Sequence, residues 1–273
     1  KSFNELAEVT FGLDFENWYK NGYWTDRYVP YSIITGNKVV SNVSVNKMEF
    51  AVNGENKKYM QLGTVMTDEK YRNQGLIKRI MQEIEKDFQD SVDGFYLFAN
   101  DRVLDFYPRF GYRKGIEYQY SKVLRSHLHR QAKQISMNHK EDWLILEKAI
   151  ELSVSNSAFE MRNNKELIMF YVTQFMQENV YYIEEEGAYV IAEINGNELF
   201  LHNIFAEKEV NMETIIDAFG DGLDQVVFGF TPLTSQGYQV KRLCEKDTTL
   251  FLKGRDFDLF EQKRGMFPSL SHA

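Results

Sequence analysis

The sequence predicts a mixed α/β (α+β) chain, with a mainly antiparallel sheet flanked by helices and then a second, degenerate α/β unit. Three observations carry this. Short β-type runs are joined by the turn dipeptides Gly36-Asn37, Asn53-Gly54 and Gly196-Asn197, which signal hairpins. Apolar residues at helical spacing (Leu76, Ile80, Met81, Ile84 and Phe88) follow Gly75. The order helix, hairpin strands, helix, strand, closing strands occurs twice, although the two halves share too little identity to form a repeat in letters.

Taken in order, Ser2 to Lys20 reads as helical, with Phe3, Leu6, Phe11, Phe15 and Trp18 as its apolar points and Gly12 as an interruption. Tyr31–Thr35 and Lys38–Val45 read as strands, Lys47–Val52 continues the second or forms another, and Tyr59–Thr67 is the next. After the helix that follows Gly75 come a short apolar strand, Phe95–Ala99, a short helix over Asp101–Tyr107 stopped by Pro108, and a closing strand, Ile116–Leu124. Arg125–Glu141 is polar and basic and suits a helical linker. Beyond it, Asp142–Ser153 and Lys165–Glu178 read as helices, Tyr181–Glu184, Ala188–Ile194 and Leu199–Phe205 as a meander, Met212–Phe219 as a helix, and Gln225–Phe230 and Thr248–Lys253 as strands. The division expected is 1–125, a linker over 126–141, and 142–273.

Composition narrows the function. At 273 residues, with 43% hydrophobic and 15% aromatic content, the chain can fill two cores. A net charge of −8 argues against nucleic acid as the main partner. It suits a cationic substrate, and it suits ordinary solubility equally. A single cysteine, Cys244, excludes an internal disulfide and fits a reducing, cytoplasmic setting, and no Cys/His spacing suggests a metal. No apolar run approaches the roughly 20 residues needed to span a bilayer, so no membrane role is expected. The first residue is Lys1, so a few leading residues are expected to be missing.

The most informative stretch runs from Val65 to Lys78, where a strand enters an Arg72-Asn73-Gln74-Gly75 turn that opens an amphipathic helix. Backbone N–H groups and the positive end of a helix dipole then converge on one point, which makes an anion site. Gly75 lets the backbone approach the anion closely. Arg72 and Lys78 can add charge there, or simply be solvated. About thirty residues on comes Phe106-Tyr107-Pro108-Arg109-Phe110-Gly111-Tyr112.

These two segments resemble the GNAT superfamily of N-acetyltransferases, whose main motif, (Gln/Arg)-x-x-Gly-x-(Gly/Ala), follows a strand and opens a helix. Arg72 and Gly75 match, and Ile77 stands where a small residue is usual. Arg-x-x-Gly-Leu-Ile-Lys together with Tyr-x-Arg-Phe-Gly-Tyr is similar to the Eis-type (enhanced intracellular survival) branch. That branch carries two GNAT-like regions, the second degenerate, and usually a third, sterol-carrier-like domain, so a shortened relative is expected here. The motif match covers about residues 59–115; elsewhere the likeness is one of architecture.

The resemblance implies a GNAT fold and an acetyl-CoA-dependent transfer to a primary amine of a small molecule or peptide. The pyrophosphate would sit on the amides of Asn73, Gln74, Gly75, Leu76, Ile77 and Lys78, with Arg72 adjacent. Val65, Met66 and Thr67 would pair with the pantetheine arm as an added strand does, and Asn100 and Asp101 would flank it, or Asn100 would cap the short helix. Tyr107 would protonate the departing thiolate. The glutamate that some members use as base is replaced by Gln61. In Eis-type enzymes the C-terminal carboxylate reaches the active site, which makes Ala273 the candidate here, with His272 a lesser one. Asp14, Trp18, Trp24 and Asp26, in an aromatic and acidic cluster with Phe11, Phe15, Tyr23 and Tyr28, would help form the acceptor pocket, or belong to core and surface. Competing readings are a non-catalytic CoA-binding module and an O-acyl or longer-chain acyltransferase. Eis-type relatives often form hexamers, so a homo-oligomer is possible.

Overall fold

The computed structural model describes residues 1–52, 54–124, 132–220, 222–254 and 257–272. The N-terminal helix is two helices, α1 (Ser2–Phe11) and α2 (Glu16–Lys20). Gly12 ends α1 at φ 70° and donates its N–H to Glu8 O at 2.8 Å, a left-handed cap that suits glycine. β1 (Tyr28–Thr35), β2 (Lys38–Val52) and β3 (Glu55–Thr67) form an antiparallel meander. β2 is one strand, so Lys47–Val52 continues Lys38–Val45 rather than forming another. α3 (Leu76–Phe88) then crosses over to β4 (Gly94–Ala99), which runs parallel to β3. α3 buries Ile80, Met81 and Ile84, the face its spacing predicts. The short helix expected over Asp101–Tyr107 is instead two 3-10 turns, Asp101–Val103 and Tyr107–Phe110. Pro108 lies inside the second, where an N–H is not needed.

β5 (Arg113–Lys114), β6 (Tyr118–Val123), β7 (Lys133–Ile135), α4 (Lys140–Leu152), β8 (Phe159–Arg162) and α5 (Lys165–Phe175) follow. Of the expected helical linker, 125–131 lies outside the described residues, and Lys133–Ile135 is a strand rather than helix. The rest is β9 (Val180–Ile183), β10 (Ala188–Asn195), β11 (Glu198–Phe205), α6 (Met212–Asp217), β12 (Gln225–Phe228), β13 (Gln239–Arg242), β14 (Thr249–Lys253) and α7 (Asp258–Gln262), closed by a 3-10 turn over Ser269–Ser271.

These strands form two mainly antiparallel sheets, each with one parallel pair bridged by a helix: β3–α3–β4 in the first and β11–α6–β12 in the second. Sheet membership crosses the sequence division. β6, read as the closing strand of the first half, pairs with β12 and β13 in the second sheet. β14, from the end of the chain, inserts between β4 and β5 of the first, and β8 extends the same sheet along β2. Linear proximity suggested otherwise, but each strand finds its place through the edge left open to it.

The C-terminal tail is packed between the sheets. Phe267 is fully buried against Phe50, Tyr59, Tyr96, Phe98, Phe159 and Phe260, stacking on Tyr96 with centroids 4.1 Å apart. Its N–H donates to Glu117 Oε1 at 2.9 Å, and Ser269 N–H donates to Gly229 O at 2.7 Å. Burial pushes the Glu117 carboxyl up to about 8, against the pull of that N–H.

Two outcomes are expected. Phe267→Ala should cost about 3–5 kcal/mol in urea unfolding, since it opens a cavity among six rings. Glu117 is protonated in the folded chain and ionised in the unfolded chain between its ordinary value near 4.5 and about 8, so it withdraws stability as pH rises through that window. Glu117→Gln keeps an acceptor for Phe267 without the charge, and its melting-temperature advantage over wild type should grow from pH 5 to pH 8 and then level off.

Candidate active site

β3 and β4 are paired only at Tyr59↔Gly94, Met60↔Phe95 and Gln61↔Tyr96. Beyond Gln61 they part. The cause is local to β3: the β2–β3 register shifts between Asn42 and Ser44, and Thr64 takes φ 47°, a left-handed conformation a β-branched residue rarely adopts. Two hydrogen bonds hold it there, Asn42 Nδ2 donating to Thr64 O at 3.0 Å and the Thr64 hydroxyl sharing a 2.7 Å bond with Tyr28 Oη. β14 pairs along the opposite edge of β4, Leu250 with Phe98 and Thr249 with Ala99, so the edge that β3 leaves stays open. The result is a gap walled by Leu62, Gly63, Thr64 and Val65 on one side and Phe98, Ala99 and Asn100 on the other.

The gap opens into a cavity of about 500 Å³, the size of a small-ligand site. α1, α2 and α5 cover it with Phe11, Leu13, Phe15, Trp18, Leu167, Phe170, Tyr171 and Phe175, and Tyr107 and His272 reach it from the far side. Trp18 Nε1 donates to Glu166 O at 2.8 Å and so ties the N-terminal helices to α5. The sequence reading missed Thr64, Phe98 and the whole contribution of α5. One signal was present: α5 carries apolar residues on more than one face, Phe175 remaining 57% exposed.

At one end of the gap lies the Arg72–Lys78 bend. After a 3-10 turn over Glu69–Tyr71, capped by Asp68, the chain passes through Asn73 at φ 62° and Gly75 at φ 72°. Gly75 is the N-cap of α3, and its carbonyl accepts from Arg79 N at 3.2 Å. The amides of Gly75, Leu76, Ile77 and Lys78 come before that bond, where a helix start has no intrahelical partners for them. The bend is exposed from Arg72 to Gly75, and a side chain at Gly75 would meet nothing within 4 Å. Glycine is therefore needed for its φ here and not for space. Arg72 pairs with Glu69 at 3.2 Å and Lys78 is exposed. Backbone donors, positive helix end and open approach fit a diphosphate.

The other candidates fall as follows. Val65 lines the cavity, whereas Met66 is buried in the core and Thr67 bonds Ser41 through its hydroxyl at 2.9 Å. Asn100 lines the cavity and makes no side-chain cap. Asp101 is exposed, its N–H donating to Asp247 Oδ1 at 3.0 Å. Tyr107 is buried against Phe106, Tyr112 and Phe251, and burial pushes its hydroxyl up to about 12. Gln61 is buried in the sheet and accepts from Asn46 Nδ2 at 3.3 Å. Of Asp14, Trp18, Trp24 and Asp26 only Trp18 lines the cavity, together with Phe11, Phe15 and Tyr28 of the same cluster. Trp24 packs on Phe3, Phe15, Trp18 and Tyr28. Asp14 caps α2, accepting from Glu16 N at 2.8 Å, and Asp26, 91% exposed at its side chain, pairs with Lys47. Neither acid lines the cavity, because short-range backbone and surface partners claim both.

The docked tail carries His272 to the cavity, where its ring stacks on Phe98 with centroids 3.7 Å apart. Its backbone carbonyl accepts from Tyr171 Oη–H, and Ser271 O accepts from Tyr96 Oη–H at 3.3 Å. Ala273, the candidate carboxylate, lies outside the described residues. In the second sheet the matching space beside β11 is filled by the tail itself: His202 Nδ1 lies 2.9 Å from Ser269 Oγ, and a Cβ at Gly229 would meet that oxygen at 2.5 Å. Between β11 and α6 no residue has a positive φ. Among the described residues no group of three or more His, Cys, Asp or Glu is placed to hold a metal, and no helix is long and apolar enough to cross a membrane.

Comparison with known proteins agrees with this geometry. The chain resembles a conserved protein from Enterococcus faecalis V583, a probable N-acyltransferase of unknown function, at 15% identity and a TM-score of 0.62, covering 96% of this chain and 72% of that one. It resembles a GCN5-related N-acetyltransferase from Kribbella flavida at 15% identity and a TM-score of 0.55, covering 94% and 69%. It also resembles Eis1 from Mycobacterium abscessus at 12% identity and a TM-score of 0.54, covering 91% and 69%. At such identities these likenesses concern the fold. No curated protein matches the sequence. The family model for the acetyltransferase (GNAT) domain matches residues 2–115, so the stretch that holds the bend, the parted strands and Tyr107 is similar to a GNAT acetyltransferase domain.

Proposed function

We propose that the chain transfers an acetyl group from acetyl-CoA directly to an amine of a small molecule or peptide. The observation that carries this reading is the alignment of three features along one gap: the amide-lined bend at Asn73–Lys78, the unpaired backbone of β3 beyond Gln61, and Tyr107 at the cavity wall. The bend would hold the pyrophosphate, with Lys78 adding charge and Arg72 available once released from Glu69. The free edge of β3 near Val65 would pair with the pantetheine amides, and Asn100 would bound the arm opposite. The second half would act as a scaffold, supplying β8, β14 and α5 and lacking a phosphate cradle of its own. The free, exposed Cys244 suits a reducing, cytoplasmic setting.

Tyr107 would supply the proton that a departing thiolate needs. With its hydroxyl near 12, the phenol is fully protonated at working pH. Giving that proton to a free thiolate of ordinary pKa near 8.5 is uphill by about 5 kcal/mol. Donation would therefore accompany C–S cleavage rather than follow it, with Tyr107 acting first as a hydrogen-bond donor to sulfur.

Calorimetry with coenzyme A tests the first requirement, and thiol release from acetyl-CoA in the presence of an amine panel tests the second. Tyr107→Phe should lower kcat by about 10²–10³-fold while leaving coenzyme A affinity unchanged. If turnover is insensitive to Tyr107→Phe and to the amine offered, the chain binds the coenzyme without using it. Gly75→Val should fold, because the added atoms meet open space, yet weaken coenzyme A by about tenfold as the left-handed bend relaxes, a loss near 1.4 kcal/mol.

A further inference from the structure

The cavity wall is aromatic and uncharged. Phe15 and Phe170 stack with centroids 5.5 Å apart and planes 11° from parallel, and Trp18 meets Phe170 edge-on at 5.5 Å. Phe11 and Phe175, both cavity-lining, remain 45% and 57% exposed and form an apolar rim. Among the described residues no Asp, Glu, Lys or Arg lines this space. An alkylammonium entering it would lose its hydration and meet no charged side chain among the described residues to replace it, a cost of several kcal/mol.

One polar atom in this setting is orphaned. His272 Nε2 is enclosed and has no hydrogen-bond partner. The Phe267 backbone raises the ring's pKa, against the burial that lowers it. In the Nδ1–H tautomer of the neutral ring, Nε2 holds the lone pair. An enclosed acceptor left without a donor costs about 1–3 kcal/mol, which an N–H brought by a ligand would recover.

We infer that the acceptor is a weakly basic amine on an aromatic body, uncharged at neutral pH, and that His272 Nε2 takes the proton its nitrogen loses. This rests on the acetyl-transfer reading above. In the step, the amine nitrogen attacks the thioester carbonyl carbon and the new C–N bond forms. The C–S bond breaks, and sulfur leaves with the bonding pair and takes the Tyr107 proton. The nitrogen sheds one proton to Nε2. Return of that proton to the Tyr107 oxygen resets both groups, so the products are an amide and free thiol. Burial lowers His272 to about 4, which keeps the imidazole neutral and receptive at pH 7. It is too weak a base to deprotonate an alkylammonium of pKa near 10.4 but strong enough for a nitrogen made acidic by bond formation. Among the described residues, the other titratable groups that line the cavity are Tyr28, Tyr107 and Tyr171, all raised by burial, and Tyr96, raised likewise, lies behind Ser271. None of them titrates between pH 6 and 9.

The test uses the full chain with 4-methoxyaniline and spermidine as paired acceptors. Binding of 4-methoxyaniline alone is read from tryptophan fluorescence, since Trp18 lines the cavity. Turnover is read from thiol release. The expected results are saturable binding of the aromatic amine, a kcat/KM at least about tenfold above that for spermidine, and a rate flat from pH 6 to 9. His272→Phe, which keeps the stacking on Phe98, should lower kcat by about 10²-fold with little change in KM. His272→Gln provides a second variant should the first fail to fold. Phe175→Glu, at the exposed rim, should weaken the aromatic amine and favour spermidine. Preference for spermidine by wild type, or unchanged kcat in both His272 variants, overturns the inference. Lack of coenzyme A affinity by calorimetry instead defeats the transferase reading, and with it the role of His272. The fluorescence arm still decides the cavity's preference for an aromatic amine.

Discussion

The parting of β3 from β4 is the constraint on which the rest depends. Two parallel strands that begin in register would ordinarily zip along their length, because each unpaired backbone group in a buried place costs free energy. Here a left-handed Thr64 bends β3 away, Asn42 and Tyr28 bond the bent segment, and β14 holds β4 in the sheet from its opposite edge. Without β14 the upper half of β4 would have no neighbour on the side where β5 now follows. The gap is a built feature, supported from three directions, and the cavity, the amide bend and Tyr107 are arranged along it.

That support explains why the halves are interlocked. The first sheet borrows β8 and β14 from the second half and lends β6 to it, while α5 roofs the cavity and the tail threads between the sheets. A strand exchange of this kind makes the two sheets a single packing problem. It also places the last residues of the chain at the site, since the path that buries Phe267 ends at His272 beside Phe98. The same tail fills the corresponding space in the second sheet through Ser269. One segment therefore closes a crevice in one half and finishes the wall of a cavity in the other.

Much of this was legible in the letters. The Arg72–Lys78 turn, the α3 face and the hairpins depend on residues a few positions apart, and local rules read those well. The placement of β6 and β14 was not legible, because strand pairing is decided by which edge is open, and that is a property of the assembled sheet. Asp14 and Asp26 show the same limit. Their company of aromatic residues suggested a pocket for a cation, yet Asp14 is engaged by the start of α2 and Asp26 by Lys47, two partners within ordinary side-chain reach that composition does not rank.

The sequence by itself determined the bend that can grip an anion, since glycine at φ 72° before an amphipathic helix is a local demand, and it determined that a tyrosine would follow the next strand. Only the tertiary structure decided what shares the cavity with them. An apolar wall drawn from α1, α2 and α5, and a histidine delivered by the far terminus, are brought together by burial of side chains up to 170 or more positions apart, such as Tyr96 with Ser271. Burial is non-directional and long-range in sequence, so no pattern within a window of residues records it.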